Sequence, residues 1–288
     1  MKPPAFDYRA PETMDDALRL LADPDSDTVV LAGGQSLMPM LNLRLVLPDR
    51  LLDINRVRGL DAIEIDDGSV RLGAMARLTA LIDHEELAAA VPVLREAAGF
   101  VAHPQIRNRS TLGGTLCHAD PTAEIPVVSV ALEARVELRS VRGSRWVEAE
   151  DFFRGVFQTA KQADEMLVAV ELPRLREFEF GFGEIARRSH GDFPYVSLCA
   201  GLQIEGEEVR AARLAAGGVA ERPVRLGATE RALVGWRLGG DLADVLRAAS
   251  DEVSPPSDIH ASDNYRRGLL RTLIKRTVPR IGERLAIA

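Results

Sequence analysis

Two glycine pairs could bind a ligand without any charged side chain: Ala32-Gly33-Gly34-Gln35-Ser36 and Thr111-Leu112-Gly113-Gly114-Thr115. Glycine reaches positive φ without a steric penalty and lets the backbone come close to a ligand. Successive N–H groups can then converge on one concavity that holds an anion. Two such concavities in one domain predict a dinucleotide, its two phosphates gripped from opposite sides. Gln35, Ser36, Thr111 and Thr115 would add hydrogen bonds to phosphate or sugar oxygens. On this reading a valine at Gly33 or Gly114 takes the place of a phosphate oxygen. It would then weaken the ligand far more than the fold.

Nothing else in the chain has the pattern of a catalytic centre. No Ser/His/Asp arrangement occurs by spacing, and there is no His-Glu-x-x-His. The two cysteines, Cys117 and Cys199, are too few for an iron–sulfur cluster and lack the spacing of a zinc site. They read as reduced thiols in or near the interior. His118 lies inside the second motif and His103 just before it, so either could approach a bound cofactor. His84, His190 and His260 read as surface or loop residues. Arg107 and Arg109 lend positive charge beside the second glycine pair, though each taken singly reads as structural or solvated. No catalytic residue and no metal ligand is assigned, and hard chemistry would belong to a cofactor.

The elements that must position these residues follow from pattern. Thr13-Met14-Asp15-Asp16 has the oxygen-bearing cap and first-turn acids of a helix, which continues to Pro24. A β-branched run over 28–31 predicts a buried strand feeding the first glycine pair. A helix is expected over 37–45 and a strand over 51–54. Residues 62–65 and 70–73, joined by Asp67-Gly68, read as a hairpin. Residues 79–100 are helical and divided at Pro92. A helix over 121–132 and strands over 134–139 and 166–172 follow. Beyond Pro173 three strands (178–187, 195–204, 209–216) form a meander, then helices are expected over 228–234, 242–249 and 264–276. The last carries Arg266, Arg267, Arg271, Lys275 and Arg276, read as one solvated face. Strands followed by helices indicate α+β organisation.

The strand, glycine pair and helix resemble the opening of a Rossmann unit, and Asp53 stands about 20 residues on, where a ribose-binding acid would sit. The Gly-x-Gly-x-x-Gly fingerprint fails, because Gly33-Gly34-Gln35-Ser36-Leu37-Met38 has no third glycine. A phosphate loop fails as well, lacking Gly-Lys-Ser/Thr.

Composition bounds the alternatives. In 288 residues, 46% hydrophobic and 27% charged, an ordinary globular protein of two domains is accommodated. A net charge of −7 with scattered arginines disfavours nucleic acid. No apolar run reaches the roughly 18 residues of a membrane span. The first residues lack a signal-peptide core, which predicts a cytoplasmic protein.

Taken together, AGGQS, RNRSTLGGT, ADPTAE and the later Arg187-Arg188-Ser189-His190-Gly191-Asp192-Phe193-Pro194 resemble the FAD-binding subunit of the molybdenum hydroxylases. These are the xanthine dehydrogenase and aerobic carbon monoxide dehydrogenase relatives, and the likeness is to the carbon monoxide dehydrogenase medium-chain type. The resemblance runs over nearly the whole chain. It implies an FAD-binding domain of the vanillyl-alcohol-oxidase (PCMH) type over 1–175, with subdomains of about 1–57 and 58–175. A C-terminal carbon monoxide dehydrogenase flavoprotein-like α+β domain would occupy 176–288. It implies non-covalent FAD held by Ala32, Gly33, Gly34, Gln35, Ser36, Thr111, Leu112, Gly113, Gly114 and Thr115. Glu124, where relatives often have Asp, would bind cofactor hydroxyls. Asp192 and Phe193 would lie near the isoalloxazine ring, with Phe193 or Tyr195 packing beside it. Pro194 replaces the family's usual Ala.

Electrons would arrive from a large molybdenum-cofactor subunit through a small subunit with two [2Fe–2S] clusters, in a dimer of heterotrimers. They would leave through FAD to an external acceptor. A self-contained flavin oxidase with its own organic substrate and a non-catalytic binding protein are the rival readings.

Overall fold

The structure is a computed structural model describing residues 2–187 and 192–287. His190 and the rest of 188–191 lie outside the described residues. Among the described residues three main sheets and their helices follow one another along the chain, with a two-stranded sheet as a fourth.

The first unit is a parallel three-stranded sheet of β1 (Asp7–Arg9), β2 (Thr28–Leu31) and β3 (Arg50–Asp53), with β3 central. Parallel neighbours need crossovers, and α1 (Met14–Leu21) and α2 (Leu37–Asn42) supply them. Thr13 caps α1, its hydroxyl accepting from the Asp16 amide at 3.2 Å.

The second unit begins with β4 (Ile63–Ile65) and β5 (Ser69–Gly73). The helical stretch after it breaks into three pieces, α3 (Leu78–Asp83), α4 (Glu85–Ala90) and α5 (Pro92–Phe100), and not into the expected two. The extra break is His84, which leaves helical geometry and accepts from the Leu87 amide through Nδ1 at 3.2 Å. Next come α6 (Pro104–Arg107), α7 (Leu112–His118) and α8 (Glu124–Ala131). The strands β6 (Arg135–Ser140) and β7 (Gly143–Glu148), helix α9 (Ala149–Phe152), the small hairpin β8 (Phe153–Gly155) with β9 (Gln158–Thr159), and β10 (Met166–Pro173) complete it. The resulting antiparallel sheet runs β4-β5-β10-β6-β7. β10 is buried on both sides: Met166 and Val168 pack with Leu52 and Ile54 of the first unit, while Leu167, Val170 and Leu172 pack into the second. This explains its unbroken apolar run.

The third unit is the antiparallel sheet β11 (Glu179–Ala186), β12 (Pro194–Glu205), β13 (Glu208–Gly217) and β14 (Val224–Arg225), with α10 (Gly227–Leu233), α11 (Ala243–Asp251) and α12 (Asp263–Ile287). Both faces of this sheet are covered. Leu198, Ala200, Leu214 and Ala216 pack with Leu270, Leu273 and Ile274 of α12. The row Phe182, Cys199, Ala215 joins the core of the second unit. Between the two antiparallel sheets lies α8, every residue of it buried, as its all-round apolar sequence requires.

The expected solvated face of α12 is corrected at Arg266, which is 4% exposed. Its two terminal guanidinium nitrogens donate to the Tyr195 and Gly218 carbonyls and to Asp258, which offsets most of the cost of burial, while Nε has no partner among the described residues. Arg271, Lys275 and Arg276 are exposed.

Phe182 carries the contact between the second and third units: it is fully buried, with the Phe100 ring 5.5 Å away. Phe182→Ala is expected to lose about 3–5 kcal/mol, read as a lower denaturation midpoint.

Candidate functional site

The first glycine loop leaves β2 and enters α2. Gly34 has φ +76°, which only glycine adopts freely. Ser36 stands at the N-cap with no side-chain cap bond, so the first turn of α2 keeps unpaired donors. Among the described residues, none of the amides of Gly33, Gly34, Gln35, Ser36 and Leu37 donates to a protein acceptor. Five consecutive free N–H groups make this loop an anion cradle.

The second glycine pair corrects the expected symmetry. Gly113 and Gly114 sit in the first turn of α7, neither at positive φ. Their amides are already engaged: Leu112 N donates to Ala76 O at 2.9 Å, Gly113 N to Ala74 O at 2.7 Å, and Gly114 N to the Thr111 hydroxyl at 3.1 Å. A Cβ on Gly113 would lie 2.7 Å from that of Ala74. This pair therefore lets α7 pack against the chain leaving β5 at Ala74 and brings the side chains of Thr111 and Thr115, not amides, to the site.

Gly33 has a second role that its sequence context did not reveal. A Cβ there would collide with the Arg109 carbonyl and lie 2.9 Å from the Ser110 Cα. The two glycine segments are thus in direct backbone contact. A polar network holds them: Asn55 Nδ2 donates to the Ala32 carbonyl at 2.9 Å, and Arg77 donates to Asn55 Oδ1 at 2.6 Å and to the Arg109 carbonyl. Asp53 anchors Asn55 and accepts from the Tyr8 hydroxyl at 2.6 Å. Burial opposes ionisation of Asp53, but the hydrogen bonds from Tyr8 and Asn55 prevail and its pKa lies below the ordinary range. The acid that stood at a ribose-binding distance is a structural anchor.

Between the loops opens a cavity of about 420 Å³. Of the expected site residues, Ala32, Gly33, Gly34, Gln35, Ser36, Thr111, Gly113, Gly114 and Thr115 line it. Leu112 does not, being 1% exposed in the core. Glu124 is buried at the start of α8, away from this cavity. Asp192, whose carboxylate accepts from the Phe193 amide, and the 74% exposed Phe193 also lie off it.

The walls add residues that sequence reasoning missed: Leu21, Val29, Val30, Ile54, Met166 and Leu167 on the apolar side, and Lys161 as the one cation among the lining residues. Lys161 Nζ donates to the Gln162 and Glu165 carbonyls at 3.0 and 3.2 Å. It sits in a loop before β10 with no motif around it, so nothing in the sequence marked it. Glu165 also lines the cavity, but Arg145 holds it through two bonds of 2.6 and 2.8 Å. At the other end of α7, Cys117 and His118 complete the wall. Burial pushes the Cys117 thiol up to about 11, so it is not a thiolate. Burial also lowers the His118 pKa against the opposing charge of Asp120, and its ring lies 4.9 Å from that of Phe157. Arg107 is structural, donating to the Val101 and Ala102 carbonyls at 2.9 Å each, and the Arg109 side chain is exposed.

An amide cradle, two threonine hydroxyls, one cation and an apolar slot fit a pyrophosphate attached to a flat aromatic group. Residues 4–175 match the family described as the FAD binding domain in molybdopterin dehydrogenase, and residues 182–281 match the CO dehydrogenase flavoprotein C-terminal domain. The chain belongs to this family of FAD-binding flavoproteins. It is 39% identical to the nicotine 6-hydroxylase medium subunit of Paenarthrobacter nicotinovorans, over 99% of this chain and 100% of that one. It is 32% identical to the carbon monoxide dehydrogenase medium chain of Hydrogenophaga pseudoflava, over 96% and 97% of the two chains. The crystal structure of quinoline 2-oxidoreductase from Pseudomonas putida 86 contains a similar chain, with TM-score 0.93, 38% identity and coverage of 98% and 99%. The fold is that of an FAD-binding domain followed by the carbon monoxide dehydrogenase flavoprotein C-terminal domain, and the protein is an oxidoreductase subunit that takes FAD as its cofactor.

The geometry changes what a glycine substitution does. Gly33→Val meets protein backbone before it meets any ligand, so apoprotein melting temperature and FAD affinity are expected to fall together. Calorimetry of the apoprotein and a fluorescence titration with FAD check this, and an apoprotein of unchanged stability would contradict it.

Proposed function

We propose that this chain is the flavin subunit of a molybdenum hydroxylase complex, receiving electrons from partner iron–sulfur clusters and delivering them to an external acceptor. The observation that carries the reading is the run of five unpartnered amides opening onto an apolar slot, in a chain alignable end to end with medium subunits. Amides Gly33 to Leu37 would hold the pyrophosphate, with Thr111, Thr115 and Lys161 adding donors. Leu21, Val29, Val30, Met166 and Leu167 would exclude water from the aromatic end. The chemistry supplied by bound FAD is acceptance and release of electrons singly or in pairs. This chain's residues would hold the charge of the pyrophosphate and keep the cofactor in one position. The domain division proposed is 1–175 for the flavin-binding part, in two subdomains of about 1–57 and 58–175, and 176–288 for the C-terminal part.

The partners proposed are a large molybdenum-cofactor subunit and a small [2Fe–2S] subunit, paired as a dimer of heterotrimers. The surface supports a covering partner. Met38, Leu43, Leu45 and Leu47, immediately after the amide loop, are 37%, 54%, 69% and 63% exposed. Such a run is the expected composition of an interface core. A cytoplasmic location is proposed with it, and no helix among the described residues is long and apolar enough to cross a membrane.

Acid precipitation of the purified chain, reconstituted with FAD if needed, is expected to leave the yellow colour in the supernatant. A tagged copy recovered from its native host is expected to bring down an iron–sulfur protein and a molybdenum protein, and Leu45→Asp to lose both while keeping FAD. A chain that purifies alone and turns over an organic substrate with flavin reduction would overturn this reading in favour of a self-contained oxidase.

A further inference from the structure

The residues lining the cavity that can carry charge are Cys117, His118, Lys161 and Glu165. Burial keeps the thiol protonated and lowers the imidazole pKa, so neither adds a charge at neutral pH. What remains is one ammonium and one carboxylate, both in the loop between β9 and β10. Left to themselves they would pair, and the cavity would offer an anion only neutral donors.

They do not pair, because β7 supplies another cation. Arg145 Nε donates to Glu165 Oε1 at 2.6 Å and its Nη2 to Oε2 at 2.8 Å. Nη2 also donates to the Ala160 carbonyl at 2.8 Å, and the Gln162 amide donates to Oε2 at 2.7 Å. Both oxygens of this buried carboxylate are therefore taken. The guanidinium holds the Glu165 carboxyl below its ordinary range, although burial opposes this. The adjacent acid is held too: Arg142 donates to both oxygens of Asp164 and to the Gln162 side-chain oxygen. Among the described residues no carboxylate pairs with Lys161. Its Nζ rests on the Gln162 and Glu165 carbonyls, and since an ammonium has three donors, one is left over.

We propose that Arg145 is a positioning residue for the cation of the cavity: by occupying Glu165 it keeps the Lys161 ammonium free to act on an anionic ligand, here the cofactor pyrophosphate. This rests on the FAD reading above and adds a residue that does not itself line the cavity. A guanidinium wins a carboxylate from an ammonium because it makes two parallel bonds in a fixed geometry. Without it a buried carboxylate is left without its cation, which is costly. The ammonium already resting on the Glu165 backbone carbonyl is then the partner at hand. Its capture takes away the one free positive charge of the cavity.

A fluorescence titration of the apoprotein with FAD reads the effect. Lys161→Gln is expected to bind FAD roughly tenfold more weakly. Arg145→Gln should lose the same factor, and the two together no more than either alone. Adding Glu165→Gln to Arg145→Gln removes the carboxylate that captures the ammonium, and should restore affinity to within about threefold of wild type. A merely structural role for Arg145 predicts no recovery, since the double variant lacks the same loop contacts. If Arg145→Gln does not fold, Arg145→Lys takes its place, expected to lose part of the affinity and to regain it with Glu165→Gln.

A second readout needs no FAD. The lysines of the chain are Lys2, Lys161 and Lys275, so competitive acetylation followed by mass spectrometry compares Lys161 with the other two. Its acetylation should drop severalfold in Arg145→Gln and recover in the double variant, because an ammonium paired with a carboxylate gives up its proton less readily. A double variant that binds FAD as weakly as Arg145→Gln alone would overturn the proposal, as would unchanged affinity in Lys161→Gln. If the wild type binds no FAD while the acetylation pattern holds, the FAD reading fails and the control of Lys161 by Arg145 stands.

Discussion

The backbone contact at Gly33 is the constraint on which the rest of the site depends. Because residue 33 has no side chain, the loop after β2 can lie directly on Arg109 and Ser110, and Asn55 and Arg77 tie the two segments through their carbonyl oxygens. The consequence is electrostatic as much as geometric. The network consumes carbonyls and leaves the N–H groups of 33–37 unpaired, so the loop presents donors to the cavity. An arrangement that used those donors internally would leave only the two threonine hydroxyls and Lys161 for an anion. Charge neutralisation by fixed backbone dipoles also suits a redox cofactor, since it brings in no titratable group beside the phosphates.

The three sheets are bound together by strands and helices with two buried faces. β10 contributes to the cores of both the first and second units, and α8 is enclosed between the second and third. The cavity draws residues from β2, α7 and β10, so its shape depends on packing among parts far apart in sequence. Glu124, buried, and Glu184, half-buried, occupy a similar junction, between α8 and the C-terminal sheet. Enclosure that stabilises the fold elsewhere raises their proton affinity there, because water that would stabilise a carboxylate is excluded.

Much of the layout was legible from local pattern. The strand over 28–31, the helix capped by Thr13, the 4–5 hairpin and the long meander stand where alternation and turn residues placed them, within one to three residues. These elements have periodicity that local sterics and a single buried face enforce. The short pieces β1, β7, α9, β8, β9 and β14 were not legible. Gly143–Glu148, for example, is exposed along most of its length, so it carries no hydrophobic alternation, and it is a strand because β6 offers an edge. The break at His84 depended on a side-chain acceptor for one amide, a choice that composition does not signal.

The order of strands and helices indicated an α+β protein and the glycine pairs an anion site, while the flavin followed from the resemblance of the chain's motifs to a known family. Its two cysteines were too few to ligate an iron–sulfur cluster. What only the tertiary structure decided is how the glycines divide the work. Sequence shows the same Gly-Gly twice, yet one pair leaves its amides free and the other spends them on Ala74 and Thr111. The difference arises because a backbone N–H binds whichever acceptor the fold places before it, and that acceptor comes from residues remote in the chain. The same holds for Arg266, Lys161 and Glu184. Their charges are written in the sequence, but burial, cavity lining and the absence of a described partner are set by the elements that fold around them.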